Sequence, residues 1–326
     1  MGSPLCRQEQ EWNRAGVKLS RQTMSNWILR VTEDWLRPVY DQLHQELVGR
    51  EVLHADQTTL QVLRKPGKSA QSKSYMWLYR TVCDAEHPIV LYEYQPDRKA
   101  ENAAAFLQGF AGYLHADGYS GYHKLPGGIR VVGGWAHARR KFDEAVNALP
   151  KGEQAGCAAL EGQQFCNQLF SIEREIAGLP FKERCIQRQS RAKQVLDALL
   201  SWAERSKAPP KSALGKDVYY LKAQWPYLIR YLEDGRLELS NNRAERSIKP
   251  FVMGRKNWLF ANTPGGAQSS SVIYSLIETA KENGLDPYRY LLWVLRNAPA
   301  MSQMDEAWAE QLLPASAPQE CRIPKE

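Results

Sequence analysis

No apolar run in the sequence approaches the ~18 residues that a membrane-spanning helix needs. Its first residues also lack the basic-then-apolar pattern of a secretory leader, so a cytosolic protein off the membrane is expected. Cysteine is sparse, with six in 326 residues (Cys6, Cys83, Cys157, Cys166, Cys185 and Cys321). No two stand as a C-x-x-C pair, which argues against a zinc ribbon or a thioredoxin-like site. A disulfide framework is not expected in a large, core-rich chain, and the thiols read as reduced and structural. Internal repeats are also missing. What remains is ordinary globular composition, 43% hydrophobic and 24% charged, long enough for one large domain or two smaller ones. The net charge of +7 is mild; it permits an anionic partner without requiring one.

Residues 1–50 read as a helical N-terminal segment, with Ser20 as the N-cap of a helix that resembles the second helix of a helix-turn-helix or, equally, a plain packing helix. From residue 51 the texture turns to strands: EVLHADQTTLQVL, SYMWLYRTVC and PIVLYEYQ. A helix, RKAENAAAFLQGF, leads to the short strand in GYLHADGYSGY. The strand IRVVGGW then feeds the helix AHARRKFDEAVNAL. Three meandering strands followed by alternation predict an α/β fold, a mixed sheet flanked by helices. Residues 51–150 form its first part, and 151–235 read as a helical insertion. The domain resumes over 236–300 as helices, and 301–326 is expected to be a loosely ordered tail.

Three acids stand out. Asp56 and Asp117 each end the phrase Leu-His-Ala-Asp in a predicted strand, and Glu245 lies in the first turn of a predicted helix. A carboxylate inside an apolar strand is costly unless its charge is compensated. Converging carboxylates would suit a hard divalent cation, Mg²⁺ or Mn²⁺. Each also has a plain alternative. Either aspartate could satisfy a turn, and Glu245 could complete a capping box with Asn242 as N-cap, Pro250 then stopping or kinking a short helix.

The basic residues cluster. Between residues 236 and 260, Arg236, Arg243, Arg246, Lys249, Arg255 and Lys256 face only Glu238 and Glu245. Asn242, Arg246 and Lys249 flank or share the helical face of Glu245, where cations could meet phosphate oxygens. Arg139, Arg140 and Lys141 offer a second basic patch. His137 beside them reads as a proton shuttle, a phosphate contact or, more simply, a core histidine. Trp258 and Phe260 could stack on a base, although core packing is the simpler reading.

HADQTTL, HADGYSGY, WAHARRKF and the long phrase NNRAERSIKPFVMGRKNWLFANTPGGAQSSSVIYSLIETAKENGLDPYRYL resemble the bacterial insertion-sequence transposases of family sixty-six. CRIP at 321–324 also fits. The resemblance implies a DDE-superfamily enzyme with a ribonuclease H-like core and a catalytic triad at Asp56, Asp117 and Glu245. It implies two Mg²⁺ (or Mn²⁺) ions per site and DNA, both element ends and target, as partner. A homo-oligomer assembled on DNA in a bacterial cytoplasm, at the nucleoid, is implied as well. The wide spacing between Asp117 and Glu245 matches that family's insertion. Gln57 and Gly134 depart from the pattern, standing where a second acid and a cysteine are common. The family usually extends upstream, so this chain reads as N-terminally shortened. A truncated DNA-binding remnant without catalysis and a metal-dependent nuclease on the same fold are the rival readings.

Overall fold

The computed structural model describes residues 3–82 and 85–323; Cys83 and Pro324 lie outside them. The chain divides into two compact units, residues 1–111 with 244–326, and residues 112–243. The first unit starts with α1 (Leu5–Arg14), α2 (Arg21–Val31) and α3 (Arg37–Val48), the last two joined by a π-helical turn at Thr32–Leu36. Ser20 caps α2, its Oγ accepting the Thr23 N–H at 3.0 Å. A helix does precede α2, and Glu9 of α1 accepts the Arg21 N–H at 2.8 Å. Next come β1 (Val52–Gln61), β2 (Lys73–Thr81), β3 (Val90–Gln95) and α4 (Ala100–Phe106). The three strands form an antiparallel meander.

The second unit pairs β4 (Gly112–Ala116) in parallel with β5 (Ile129–Gly133). It continues as α5 (Trp135–Asn147), α6 (Ala158–Ile176), α7 (Phe181–Gln187), α8 (Lys193–Arg205) and α9 (Ala213–Leu228). The helix α10 (Asn242–Trp258) starts at the end of this unit and runs on in the first, followed by α11 (Pro264–Glu282) and α12 (Pro287–Met301). With antiparallel and parallel strands and flanking helices, the fold is mixed α/β.

The two-residue period of the strands separates two faces in the first unit. Leu60, Val62, Met76, Leu78, Val90, Tyr92 and Tyr94 share one, against Ala244, Ile248 and Phe251 of α10 and Ala267 of α11. On the other, Tyr79 stacks on Phe106 of α4 at 4.1 Å, and His44 of α3 lies 4.4 Å from the same ring. The apolar anchors on α10 explain why Pro250 does not end it. A proline removes one helical hydrogen bond, but the packing of Ile248 and Phe251 on either side holds the helix through to Trp258. The helix begins at Asn242, with Glu245 in its first turn.

Residues Ser275 and Thr279 of α11 line up with the backbone of β3. The Ser275 hydroxyl accepts the Tyr92 N–H at 2.7 Å, and Thr279 Oγ1 accepts the Val90 N–H at 3.0 Å and donates to the Val90 carbonyl at 2.9 Å. Four helical residues rise about 6 Å, close to the rise of two strand residues, so an i,i+4 hydroxyl pair matches alternate strand positions. A helix thus covers a strand edge that would otherwise expose its polar groups.

The tail, expected to be loose, is folded over residues 308–321. Trp308, Leu312 and Cys321 are buried, the Tyr290 hydroxyl donates to the Leu312 carbonyl at 2.9 Å, and the Cys321 carbonyl accepts the Asp286 N–H at 2.8 Å. Short 3₁₀ turns rather than long helices carry this segment, which is why no periodicity announces it. Among the described residues, Cys6, Cys157, Cys166, Cys185 and Cys321 are free thiols.

Candidate active site

Asp56 sits in the middle of β1, opposite Leu78 of β2, which faces Tyr92 of β3. It is half-buried, and its Oδ1 accepts the N–H of Gln57 at 2.7 Å. Alternation puts it on the face of Leu60 and Leu78, the face that packs against α10. Glu245, also half-buried, lies in the first turn of α10. Within the first unit, then, the helix carrying Glu245 covers the sheet face from which Asp56 projects. Arg80 is the buried cation on that face. Its guanidinium donates to Ser247 of α10 and, at 3.2 and 2.9 Å, to both carboxylate oxygens of Glu282.

Gln57 alternates to the opposite face, in a row with Trp77 and Glu93. An acid at position 57 would therefore not share a face with Asp56. Burial pushes the Glu93 carboxyl up to about 7, opposed by a hydrogen bond from Gln95 and the charge of Arg37.

In the second unit, Asp117 directly follows β4, half-buried, and its Oδ1 accepts the Tyr119 N–H at 3.1 Å, an Asx-type turn. The next residue, Gly118, lies so close to α9 that a Cβ would meet the Tyr220 hydroxyl at 3.0 Å. Burial first, and the charge of Asp117 second, push the Tyr220 phenol up to about 12. Burial and the charge of Arg230 lower the His123 imidazole below its usual range, with Asp117 opposing them.

The two Leu-His-Ala-Asp phrases anchor their aspartates alike. Leu53, His54 and Ala55 are fully buried, and so are Leu114, His115 and Ala116. His115 Nε2 lies 2.7 Å from the Glu238 carbonyl oxygen, and the Trp135 N–H donates to the Leu239 carbonyl at 2.9 Å. These contacts hold the stretch leading into α10. Arg188, fully buried, clamps the stretch from the other end. It pairs with both oxygens of Glu173 at 2.7 and 2.8 Å and donates to the carbonyls of Tyr231, Asp234 and Leu237. Arg188 and Glu173, on helical segments of the second unit, therefore supply the anchor for residues 231–237. The histidines were readable in principle from the repeated phrase; a single arginine in a polar helical run gave no signal. Gly134 fits the same tight place, since a Cβ there would lie 3.1 Å from the Asn241 nitrogen.

The basic residues separate into roles. Arg236 pairs with Asp234 at 2.8 Å and Arg243 with Glu238 at 2.7 Å, while Arg255 donates to the Thr59 carbonyl. Arg246, Lys249 and Lys256 are exposed on α10, and Asn242 is half-buried at its start. On α5 the three neighbours diverge. Arg139 lies over the Phe170 ring at 5.5 Å on the α6 side, Lys141 lies over Tyr220 of α9 at 4.8 Å, and Arg140 is exposed. His137 is half-buried in the first turn of α5. Trp258 packs on Phe251 with ring centroids 5.4 Å apart, as core packing requires, but Phe260 is 42% exposed.

The candidate acids are oxygen donors of the kind Mg²⁺ or Mn²⁺ takes. Among the described residues, no group of three or more His, Cys, Asp or Glu side chains is gathered as a ready metal cage. No helix among them is long and apolar enough to cross a membrane.

The family described as "Transposase IS66 family" matches residues 1–269, and the IS66 C-terminal element matches residues 275–315. Three proteins of Sinorhizobium fredii, each named as uncharacterized, are similar along most of the chain. The protein y4qI is 30% identical over 97% of this chain and 59% of its own length. The figures are 31%, 90% and 56% for y4hP, and 33%, 90% and 58% for y4jD. The chain thus spans less than two thirds of the length of these relatives. No solved structure matches. The matched residues take in both Leu-His-Ala-Asp phrases, α10 and the tail as far as residue 315, and on that ground the chain belongs to the IS66 family of transposases.

Proposed function

We propose that this chain is the catalytic part of a DDE transposase, cutting and joining DNA strands with Asp56, Asp117 and Glu245 on a ribonuclease H-like core. The observation that carries the reading is the placement of Glu245. Far apart in sequence, Asp56 and Glu245 belong to one unit, on a sheet face and the helix covering it. Asp117, repeating the phrase of Asp56 at the end of β4, is the third member.

The three carboxylates would hold two Mg²⁺ or Mn²⁺ ions, which when bound supply nucleophile activation and charge neutralisation at the scissile phosphate. The chain's own residues then have separable tasks. Buried Leu-His-Ala triplets fix the two aspartates, and the packing of Ile248 and Phe251 fixes the helix of Glu245. The exposed cations Arg246 and Lys249 bind phosphate beside that glutamate, aided by Lys256 and the α5 cations Arg140 and Lys141. Assembly of copies on DNA would bring paired element ends together.

The test is incubation with element-end DNA and Mg²⁺. Asp56→Asn, Asp117→Asn and Glu245→Gln should each abolish cleavage while leaving DNA binding largely intact. Strand transfer distinguishes a transposase from a nuclease. Binding without any metal-dependent cleavage by the native chain would leave a DNA-binding remnant and end the catalytic reading. The double variant Arg246→Ala with Lys249→Ala should bind more weakly and flatten the dependence of log affinity on log salt by about 2. An unchanged slope would place these cations away from DNA.

A further inference from the structure

Between α10 and α11 the chain makes an unusual turn. Leu259, just past the helix end, has φ of +62°, and among the described residues it is the one non-glycine with positive φ. Helices commonly end on a left-handed residue, but glycine or asparagine normally takes that place because a larger side chain strains it. Here a leucine does, and it gains no burial in return: Leu259 is 64% exposed and Phe260 beside it 42%.

The turn is held on both sides. The Leu259 N–H donates to the Arg255 carbonyl at 2.7 Å and the Phe260 N–H to the Trp258 carbonyl at 2.8 Å. Beyond it, the Ala261 N–H donates to the Gln61 carbonyl at 3.0 Å, and the Ala261 and Asn262 carbonyls accept from Leu63 and Arg64 at 3.0 and 2.9 Å. Arg255 reaches the Thr59 carbonyl, and Trp258 is packed in the core. Two apolar tips are therefore presented to solvent on a fixed frame. Cations flank them, with Lys256 exposed on α10 and Arg64 exposed beyond β1.

We propose that Leu259 and Phe260 form a wedge that stacks on an unpaired DNA base, with Lys256 and Arg64 on the adjoining phosphates. An apolar tip between cations matches the two parts of a nucleotide, the π-face of the base and the charged backbone. The backbone bonds account for the turn but not for a leucine in it, since a glycine would make the same bonds without strain and Leu259 gains no burial. An exposed, rigidly held apolar tip points to use by a ligand. The inference rests on the reading of this chain as a DNA-acting protein and names which part of the DNA this turn takes.

The experiment compares a short duplex with the same duplex carrying an unpaired thymine tail and a 2-aminopurine at the junction. Leu259→Gly relieves the backbone strain and removes the tip, so its melting temperature should rise while its affinity for the tailed duplex falls about tenfold. Phe260→Ala should lose a similar factor, and both should leave the salt slope unchanged because neither removes a phosphate contact. Lys256→Ala should instead lower the slope by about 1. The native chain should change the 2-aminopurine emission, and the two wedge variants should not. Native-like affinity for the tailed duplex in both variants, with DNA binding intact, overturns the wedge alone. Failure of the native chain to bind either DNA overturns the proposed function as well.

Discussion

Two adjacent rows cross the sheet of the first unit, Asp56–Leu78–Tyr92 and Gln57–Trp77–Glu93, and each carries one carboxyl group. The rows point to opposite faces. The Asp56 row lies under α10, with Glu245 on the covering helix and Arg80 bonded to Ser247 within the same layer. The Glu93 row lies on the aromatic side, where Tyr79 stacks on Phe106. Burial raises the phenols of Tyr40 and Tyr79 well above their usual range, with the charge of Glu93 second. A strand carboxyl is thus no signature in itself; what covers it decides its chemistry. The Glu93 side chain meets rings and is driven toward its neutral form. The Asp56 side chain shares its face with a helix bearing a second acid and a run of exposed cations.

The largest expected effect separates positions 56 and 57. Asp56→Asn should lower Mg²⁺-dependent cleavage by about 10²–10³-fold or more, the scale for removing a group that acts on transition-state charge. Gln57→Glu, one residue away but facing Trp77 and Glu93, should leave the cleavage rate within about twofold and lower stability at neutral pH by like-charge repulsion. Single-turnover cleavage of both variants checks this. A strong gain or loss of cleavage in Gln57→Glu would break the assignment of faces.

Much of this arrangement was legible beforehand, and the rest was not for identifiable reasons. The strands declared themselves by Val, Leu and aromatic content, and the repeated Leu-His-Ala-Asp phrase marked both aspartates. Alternation could also have sent Gln57 away from Asp56, had the register of β1 been known. The continuity of α10 through Pro250 was hidden because tertiary packing, not local propensity, sustains it. The tail was misjudged because its order comes from burial of Trp308, Leu312 and Cys321 in short turns. The exposure of Phe260 follows from the left-handed Leu259, a backbone state that composition does not advertise.

A smaller effect tests the cation of the Asp56 face. The Arg80 side chain is 3% exposed and its partner Glu282 36%, so the pair is only partly screened by water. Arg80→Ala would leave Ser247 and Glu282 without their guanidinium and open a gap under α10. The expected loss is about 3 kcal/mol, at the low end for breaking a buried pair because Glu282 reaches solvent. Arg80→Lys should recover part of it, since an ammonium keeps the charge but not the forked geometry. Urea unfolding of the three proteins measures this. A loss below about 1 kcal/mol for Arg80→Ala would show that the cation does not fasten α10 to the sheet.

The smallest effect belongs to Glu93 and depends on pH. Its folded value, about 7, lies above the ordinary 4.5 because burial disfavours the carboxylate. Folding therefore favours the protonated form. That contribution is fully present below about pH 4.5 and is lost as the pH rises through about 7, with an upper limit of about 3 kcal/mol. Glu93→Gln replaces the group by a neutral isostere that does not titrate. The variant should match the native chain near pH 5 and exceed it in stability near pH 8, by about 1–3 kcal/mol. Cleavage at pH 8 should be little changed, because Glu93 faces away from Asp56. Urea midpoints at the two pH values decide the matter: equal midpoints for the two proteins at pH 8 would mean that the Glu93 carboxylate is hydrated, and the contrast between the two rows would then lose its electrostatic half.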